Sequence, residues 1–287
     1  MNNTLEVVSV LKNGRGVFEE EVDVHFDIDK YGMKETEATR KMIEEIWREK
    51  TRQNSRLFNQ SKYRLASYKV DPISGKVDLF VGLTCYKDHV GTNLSETVDN
   101  LVGEGEQRFD MLSQCVGVGG WVITQDKKVI FVESAAWKGE QACKIDRPGG
   151  HAEPDESVKS LPKTEKDYRN ITGIMARKEL FECIQKEVRD EINIPLELQE
   201  APELVGIVYN LETGGRLGLE YFINIKIDST KVKELYSKGG PEADESTDIF
   251  FIDIDDVKDD KIDKNFLDRF TPHATGSLEL LKKRLKK

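Results

Sequence analysis

Apolar and polar residues alternate with a period of two in several segments, which predicts β-strands there. Near the start of the chain such segments are residues 5–10 and 22–26. Residues 63–70 and 77–83 follow the same pattern, and the turn-forming sequence Asp71-Pro72-Ile73-Ser74-Gly75 joins them. The first third of the chain is therefore expected to be rich in strands and to contain a hairpin.

Helical periodicity appears over residues 34–50, where Ile43, Ile46 and Trp47 share one face, and again over residues 171–192. The second helix is expected to stop at Asn193 and Pro195, because proline cannot continue a helix. Helical character returns over residues 276–285.

The second half of the chain also predicts strands. A hairpin is expected from residues 116–124 and 129–132, with further strands near 204–209, 219–226 and 249–254. Strands mixed with a few helices indicate a layered α/β or α+β core. A polar, glycine-containing stretch at 102–106 marks a domain boundary, and the polar, proline-containing segment 154–170 predicts an exposed loop.

Charge and composition exclude several classes of partner. The net charge of −10 over 287 residues makes nucleic acid and anionic membranes poor partners, since both are bound through clustered Lys and Arg. No apolar run approaches the roughly 18 residues of a membrane helix, and the N-terminus lacks a secretory signal pattern. The four cysteines are widely spaced, which excludes the usual zinc motifs and fits reduced thiols. A cytoplasmic or nucleocytoplasmic protein is expected.

An acidic group occupies the helix predicted over residues 171–192. Glu187, Asp190 and Glu191 fall within one sector of about 100°, next to an apolar stripe that includes Ile184 and Val188. Carboxylates at this spacing repel one another unless a cation such as Mg²⁺ binds them. On the residues alone, a solvated acidic face and a divalent-cation site both remain open.

A second feature is the glycine turn Arg147-Pro148-Gly149-Gly150-His151, which follows a predicted strand. Alone it is an ordinary turn. Together with the acidic helix it resembles the Nudix box, a pattern of Gly, five residues, Glu, seven residues and Arg-Glu-aliphatic-x-Glu-Glu-x-Gly-aliphatic. Gly150 and Glu156 match the first part and residues 186–194 match the second. Lys186, Asp190 and Asn193 depart from it, and an insertion at about 157–178 lengthens the spacing.

The likeness extends from about residue 40 to residue 255. Over this range the chain most closely resembles the members of this family that act on UDP-sugars. The likeness is carried by Gly82-Leu83-Thr84-Cys85-Tyr86-Lys87-Asp88 and by residues 239–247. The resemblance implies an α/β fold, a Nudix α/β/α sandwich with a mixed sheet over residues 111–287, preceded by an N-terminal α+β domain over residues 1–110. It also implies Mg²⁺-dependent hydrolysis, with Mn²⁺ as a substitute, of UDP-glucose and UDP-galactose to UMP and a sugar 1-phosphate.

The resemblance assigns roles to individual residues. Glu187, Glu191 and Asp190 would bind the metal, and the general base would be Glu187 or a glutamate of the loop from Glu242 to Glu245, with Glu245 the candidate. The substrate would contact six further residues: Phe58, Tyr86, Asp146, Gly150, His151 and His273. Of these, Phe58 and Tyr86 would hold the uracil.

Three alternatives stay open. The substrate could be another nucleoside diphosphate derivative, such as ADP-ribose or a dinucleotide. The protein could bind nucleotide sugars without turnover, or it could be a purely structural acidic domain. The sequence does not predict an oligomeric state.

Overall fold

Strand β1 (Leu5–Ser9) forms one edge of a mixed, eight-stranded sheet in the computed structural model, which describes residues 4–71, 73–136, 142–154 and 165–286. From β1 the sheet continues through five strands: β9 (Glu203–Asn210), β10 (Arg216–Asn224), β5 (Gly117–Ile123), β6 (Lys128–Ser134) and β11 (Ser246–Asp253). Strands β10 and β5 are parallel, and the other neighbours along this path are antiparallel. These strands agree with the segments predicted from the period-two pattern.

The hairpin of β5 and β6 opens almost at once. Within the described chain, Ile123 and Val129 are the one pair in register between the two strands. Beyond this pair the strands separate, and two short strands fill the gap: β7 (Ile145–Asp146) pairs with β6, and β8 (Gly149–His151) pairs with β5. Gly149 is required at this position, because a Cβ there would overlap the Val118 carbonyl oxygen. The opening thus places the glycine turn inside the sheet.

Helices cover both faces of this sheet. On one face lies α4 (Gly173–Ile192), which begins where the Thr172 side chain accepts a hydrogen bond from Met175 N and ends at Asn193, a left-handed residue with φ of 57°. On the other face lies α8 (Pro272–Leu285), with proline at its first position. The buried apolar residues of each helix pack on the sheet, so the fold is an α/β sandwich of three layers.

A second, smaller sheet is formed by strands that lie between β1 and β5 in the sequence. It contains β2 (Val22–Phe26), β4 (Val77–Cys85) and β3 (Ser61–Val70) in that order, with α1 (Glu37–Gln53) and α2 (Tyr86–Gly91) nearby. Strands β3 and β4 form the antiparallel hairpin predicted from the sequence. Helix α1 begins three residues later than predicted because Thr36 caps it by accepting a hydrogen bond from Thr39 N.

The two sheets are joined through the edge of β3. Val116 N donates to Tyr63 O at 2.9 Å, Leu65 N donates to Gln114 O at 3.1 Å, and Tyr63 N donates to Ala152 O at 3.3 Å. Residues of both sheets also belong to one buried apolar cluster. The domain boundary near residue 110 stays a prediction, and β1 lies before that boundary while pairing with β9 beyond it.

The described part of the chain also contains shorter α-helices: α3 (Glu165–Tyr168), α5 (Ser229–Ser237), α6 (Ile254–Lys258) and α7 (Lys264–Leu267). Of the loop predicted over 154–170, residues 155–164 lie outside the described residues and residues 165–168 are the helix α3. The last residues of the predicted insertion, from 173 to 178, belong to α4. In the described ranges, no helix combines the length and hydropathy that a membrane span requires.

Candidate active site

A cavity of about 290 Å³ opens where the glycine turn, α4 and the segment before β11 meet. Seven of the residues predicted from the sequence line it: Asp146, Gly150, His151, Glu187, Glu191, Glu245 and His273. They come from parts of the chain more than a hundred residues apart, and the fold brings them together.

Two carboxylates of α4 lie directly against the glycine turn. Glu191 is 5% exposed, and its Oε2 accepts a hydrogen bond from Gly149 N at 3.0 Å. The Glu187 carboxylate packs against Gly150 so closely that a Cβ on that residue would overlap it. The turn therefore fixes one carboxylate by a backbone N–H group and admits the other only because Gly150 has no side chain.

The Asp190 side chain forms an ion pair with the neighbouring Arg189. Its carboxylate accepts hydrogen bonds from Arg189 Nε and Nη2 at 2.7 and 2.6 Å, and it is not part of the cavity lining. On a helix Glu187 and Glu191 differ by about 40°, whereas Asp190 lies about 60° from Glu187 on the far side from Glu191. The role of Asp190 as a metal ligand, directly or through water, stays a prediction.

The loop from Glu242 to Glu245 is held at the end of α4. Glu242 N donates to Asp190 O at 3.1 Å, so Asp190 contributes through its backbone, and Ala135 N donates to Glu245 O at 2.9 Å. Glu242 and Glu245 both line the cavity. The loop predicted as a source of the general base is thus adjacent to the helix carboxylates.

The donor set fits a magnesium ion. Among the described residues, no three His, Cys, Asp or Glu side chains already form a complete metal site. Mg²⁺ does not need one, because it commonly binds through one or two carboxylates together with water and substrate phosphates. Glu187 and Glu191 supply hard oxygen donors beside a cradle that a Cβ at Gly150 would fill.

A buried ion network lies beneath the cavity. The Arg147 guanidinium donates from Nε to Glu220 Oε2 at 2.8 Å and also pairs with Asp146, while Thr271 Oγ1 donates to Asp146 Oδ2 at 2.7 Å. Glu220 is fully buried, and burial raises the pKa of its carboxyl. Asp146 lines the cavity, but its oxygens already hold Arg147 and Thr271, and its contact with substrate stays a prediction.

Three histidines near the cavity are neutral at pH 7. Burial, together with the positive charge of Arg216, lowers the pKa of His151 and His273 well below the usual value and lowers that of His89 to about 3. The His89 and His151 ring centroids are 6.1 Å apart. His273 Nε2 donates to Arg216 O at 3.2 Å, because a carbonyl can only accept, and this leaves Nδ1 as an acceptor.

A second cavity of about 220 Å³ contains the two aromatic residues predicted to hold the uracil. Phe58 is 68% exposed, and Tyr86 packs edge-on against Trp47 with ring centroids 6.1 Å apart. Lys62 and His151 line both this cavity and the one that holds the carboxylates. The two cavities therefore adjoin, which is consistent with one extended ligand occupying both.

The cavity is also lined by four charged residues for which the sequence predicted no role: Lys62, Arg147, Glu153 and Arg216. Arg147 begins the glycine turn and Glu153 follows it, and this position is the one local signal for them. Lys62 and Arg216 lie on strands far from either part of the box, and no motif marks them. The predicted Glu156 lies outside the described residues. Within α4, Lys186 Nζ donates to the buried Glu179 at 3.1 and 3.2 Å.

Comparison with known proteins adds independent information. The chain is 32% identical over 223 residues to "Uridine diphosphate glucose pyrophosphatase NUDT22" of Homo sapiens, covering 75% of this chain and 73% of the relative. It is 29% identical over 227 residues to "Nudix hydrolase 9" of Arabidopsis thaliana, covering 75% and 72%. A solved structure, a Nudix hydrolase from Alicyclobacillus acidocaldarius, shares 12% identity with a TM-score of 0.37, over 58% of this chain and 90% of that one. No family model matches the chain.

Proposed function

The chain belongs to the Nudix hydrolase family, and we propose that it hydrolyses the diphosphate bond of UDP-glucose, and of UDP-galactose, to UMP and a sugar 1-phosphate in a Mg²⁺-dependent reaction. One observation carries the proposal. Glu187 and Glu191, one turn apart on α4, line the same cavity as the Gly149–Gly150 turn. The name of the human relative favours UDP-glucose among the possible substrates.

Charge explains why a metal is needed. The diphosphate of the substrate carries two negative charges, and the cavity contains the carboxylates of Glu187, Glu191, Glu242 and Glu245. Without a cation these groups would repel the substrate. Bound Mg²⁺, held by Glu187 and Glu191, would offset this repulsion, polarise the phosphoryl oxygens and lower the pKa of a water molecule.

The protein groups supply orientation and proton transfer. Gly149 N–H holds Glu191, and the absence of a side chain at Gly150 lets Glu187 reach the cavity. Neutral His151 donates or accepts a hydrogen bond without adding charge, which suits a phosphate or ribose oxygen. A carboxylate of the 242–245 loop, with Glu245 the candidate, accepts the proton of the attacking water.

The second cavity accounts for the nucleoside. An aromatic face at Tyr86 and an exposed aromatic ring at Phe58 suit a planar base, since stacking on aromatic side chains is worth about 1–3 kcal/mol per base. Lys62 and His151 connect this cavity to the one with the carboxylates. A nucleoside diphosphate sugar is long enough to occupy both.

The test is a product analysis. Purified protein is incubated with UDP-glucose, UDP-galactose, ADP-ribose, a dinucleoside polyphosphate and Mg²⁺, and products are separated by chromatography. We expect UMP and sugar 1-phosphate from the UDP-sugars, no turnover with EDTA, and a loss of at least about 100-fold in kcat for Glu187→Gln. Cleavage of ADP-ribose with UDP-sugars intact would refute the substrate assignment. Turnover by Glu187→Gln at the wild-type rate would refute the site.

A further inference from the structure

Lys62 lies where the two cavities meet. It belongs to β3, a strand of the smaller sheet, and it lines both the cavity of the helix carboxylates and that of Phe58 and Tyr86. Its residue is 8% exposed, so the ammonium group is directed into the protein rather than into solvent. The smaller sheet thus contributes a cation at the passage between the cavities.

A buried lysine requires an explanation. Its ammonium forms an ion pair with Glu153, which follows the glycine turn, and Gln60 Nε2 also donates to Glu153. A buried ion pair adds little net stability compared with apolar residues of the same volume, because both charges lose their hydration. Stability therefore does not account for a charged residue at this position.

The geometry leaves donors for a ligand. An ammonium group has three N–H donors, and in the described ranges Glu153 is the one residue whose ion pair with Lys62 is observed. Gln60 keeps Glu153 partnered if Lys62 turns toward a ligand. The positive charges of Arg216 and Lys62 both act on His151 at the same junction.

We propose that Lys62 binds the phosphate group nearest the nucleoside, at the passage between the two cavities, and thereby positions the diphosphate against Glu187 and Glu191. This inference rests on the proposed function, because it requires a ligand with a phosphate between a base and the metal site. It makes Lys62 a positioning and binding residue supplied by the smaller sheet.

The experiment measures KM and kcat for the compound that the wild-type enzyme hydrolyses fastest in the panel above. A charge-assisted hydrogen bond to phosphate predicts that Lys62→Met raises KM about 10- to 100-fold and lowers kcat much less. Lys62→Arg, which keeps the charge, should restore KM to within about threefold of wild type. Lys128→Met is the matched control, because Lys128 pairs with Asp126 outside both cavities, and its KM should be unchanged.

Two readouts separate binding from folding. Loss of one ligand-binding charge should make KM of Lys62→Met less sensitive to salt than that of wild type. The double variant Lys62→Met with Glu153→Gln removes the carboxylate that the single variant leaves unpaired. It should keep the raised KM, and thermal unfolding of each variant checks that the fold is retained. If Lys62→Met does not fold, Lys62→Gln carries the same comparison.

Each outcome has one meaning. A KM within twofold of wild type in Lys62→Met overturns the role of Lys62. A wild-type KM in the double variant also overturns it, because the raised KM of the single variant would then have come from the unpaired Glu153. An unchanged salt dependence also overturns it. Wild-type protein that cleaves none of the compounds refutes the proposed function and with it this inference.

Discussion

Replacing Gly150 with alanine tests how the glycine turn and α4 cooperate. A Cβ at Gly150 would overlap the Glu187 carboxylate, and even the most distant of its three overlapping atoms, Oε2, would lie 2.7 Å from that Cβ. Ordinary contact begins at 3.4 Å and the nearest atom, Oε1, would lie 2.0 Å away, so this oxygen must withdraw by about 1.4 Å, the difference between those two distances. The obstructing atoms are the end of a flexible side chain, so the fold can adapt while the site cannot.

The expected effect is on rate rather than stability. Displacing a catalytic group by about 1 Å costs on the order of 100-fold in rate, or about 2.7 kcal/mol. We expect kcat/KM of Gly150→Ala to fall by about that factor, while its free energy of unfolding stays within about 1 kcal/mol of wild type. UMP release and chemical denaturation measure the two quantities.

Replacing the neighbouring Gly149 should have a different effect on stability. At Gly149 a Cβ would meet the Val118 carbonyl oxygen, which belongs to the backbone of β5 and cannot move without disturbing the strand pair. Gly149→Ala should therefore lose stability as well as activity. Gly103→Ala, where the nearest atoms lie 3.5 Å away, should change neither. Full activity in Gly150→Ala, or equal destabilisation of the two turn variants, would refute the reasoning.

Two further predictions concern buried charge. Glu220→Gln should lower the free energy of unfolding by about 3–5 kcal/mol, because it removes the buried partner of Arg147. Denaturant titration measures this change. As a control, Glu279→Gln removes an exposed partner of Lys282 and should lower the free energy of unfolding by no more than about 1 kcal/mol. His89 is neutral when folded, since burial lowers its pKa from 6.5 to about 3, so its contribution is complete above pH 6.5 and is lost as the pH falls toward 3. That loss reaches about 2 kcal/mol at pH 5, and thermal unfolding of His89→Gln should depend less on pH over this range; an identical pH dependence would contradict it.

The sequence predicted the local elements better than their partners. Period-two strands and the helix ending at Asn193 depend on neighbouring residues, and both agree with the structure. The pairing of β1 with β9 joins residues about two hundred positions apart, and alternation alone does not identify the partner strand. The opening of the β5–β6 hairpin was missed for the same reason, because β7 and β8 fill it from a later part of the chain.

In the candidate site, too, local features could be predicted from the sequence, whereas contacts between distant residues could not. Helical spacing places Glu187 and Glu191 on one side of the helix, and the Nudix resemblance makes them metal-ligand candidates. The structure places both beside the glycine turn, and their role as ligands stays a prediction. Helical spacing alone does not show that the Asp190 carboxylate pairs with Arg189, and its role as a metal ligand stays a prediction. Lys62 is one lysine at the start of a strand, and nothing in its neighbours along the chain shows that it is buried and paired with Glu153.

The backbone bonds along the edge of β3 limit how this protein can be divided. Tyr63 exchanges hydrogen bonds with Val116 and Ala152, so a fragment starting near residue 111 would leave these peptide groups unpaired and uncover apolar surface shared by both sheets. Such a fragment would be a poor unit for recombination with other proteins. In hydrogen–deuterium exchange, the Tyr63 and Val116 amides should become protected together during refolding, since neither is bonded until the two sheets meet.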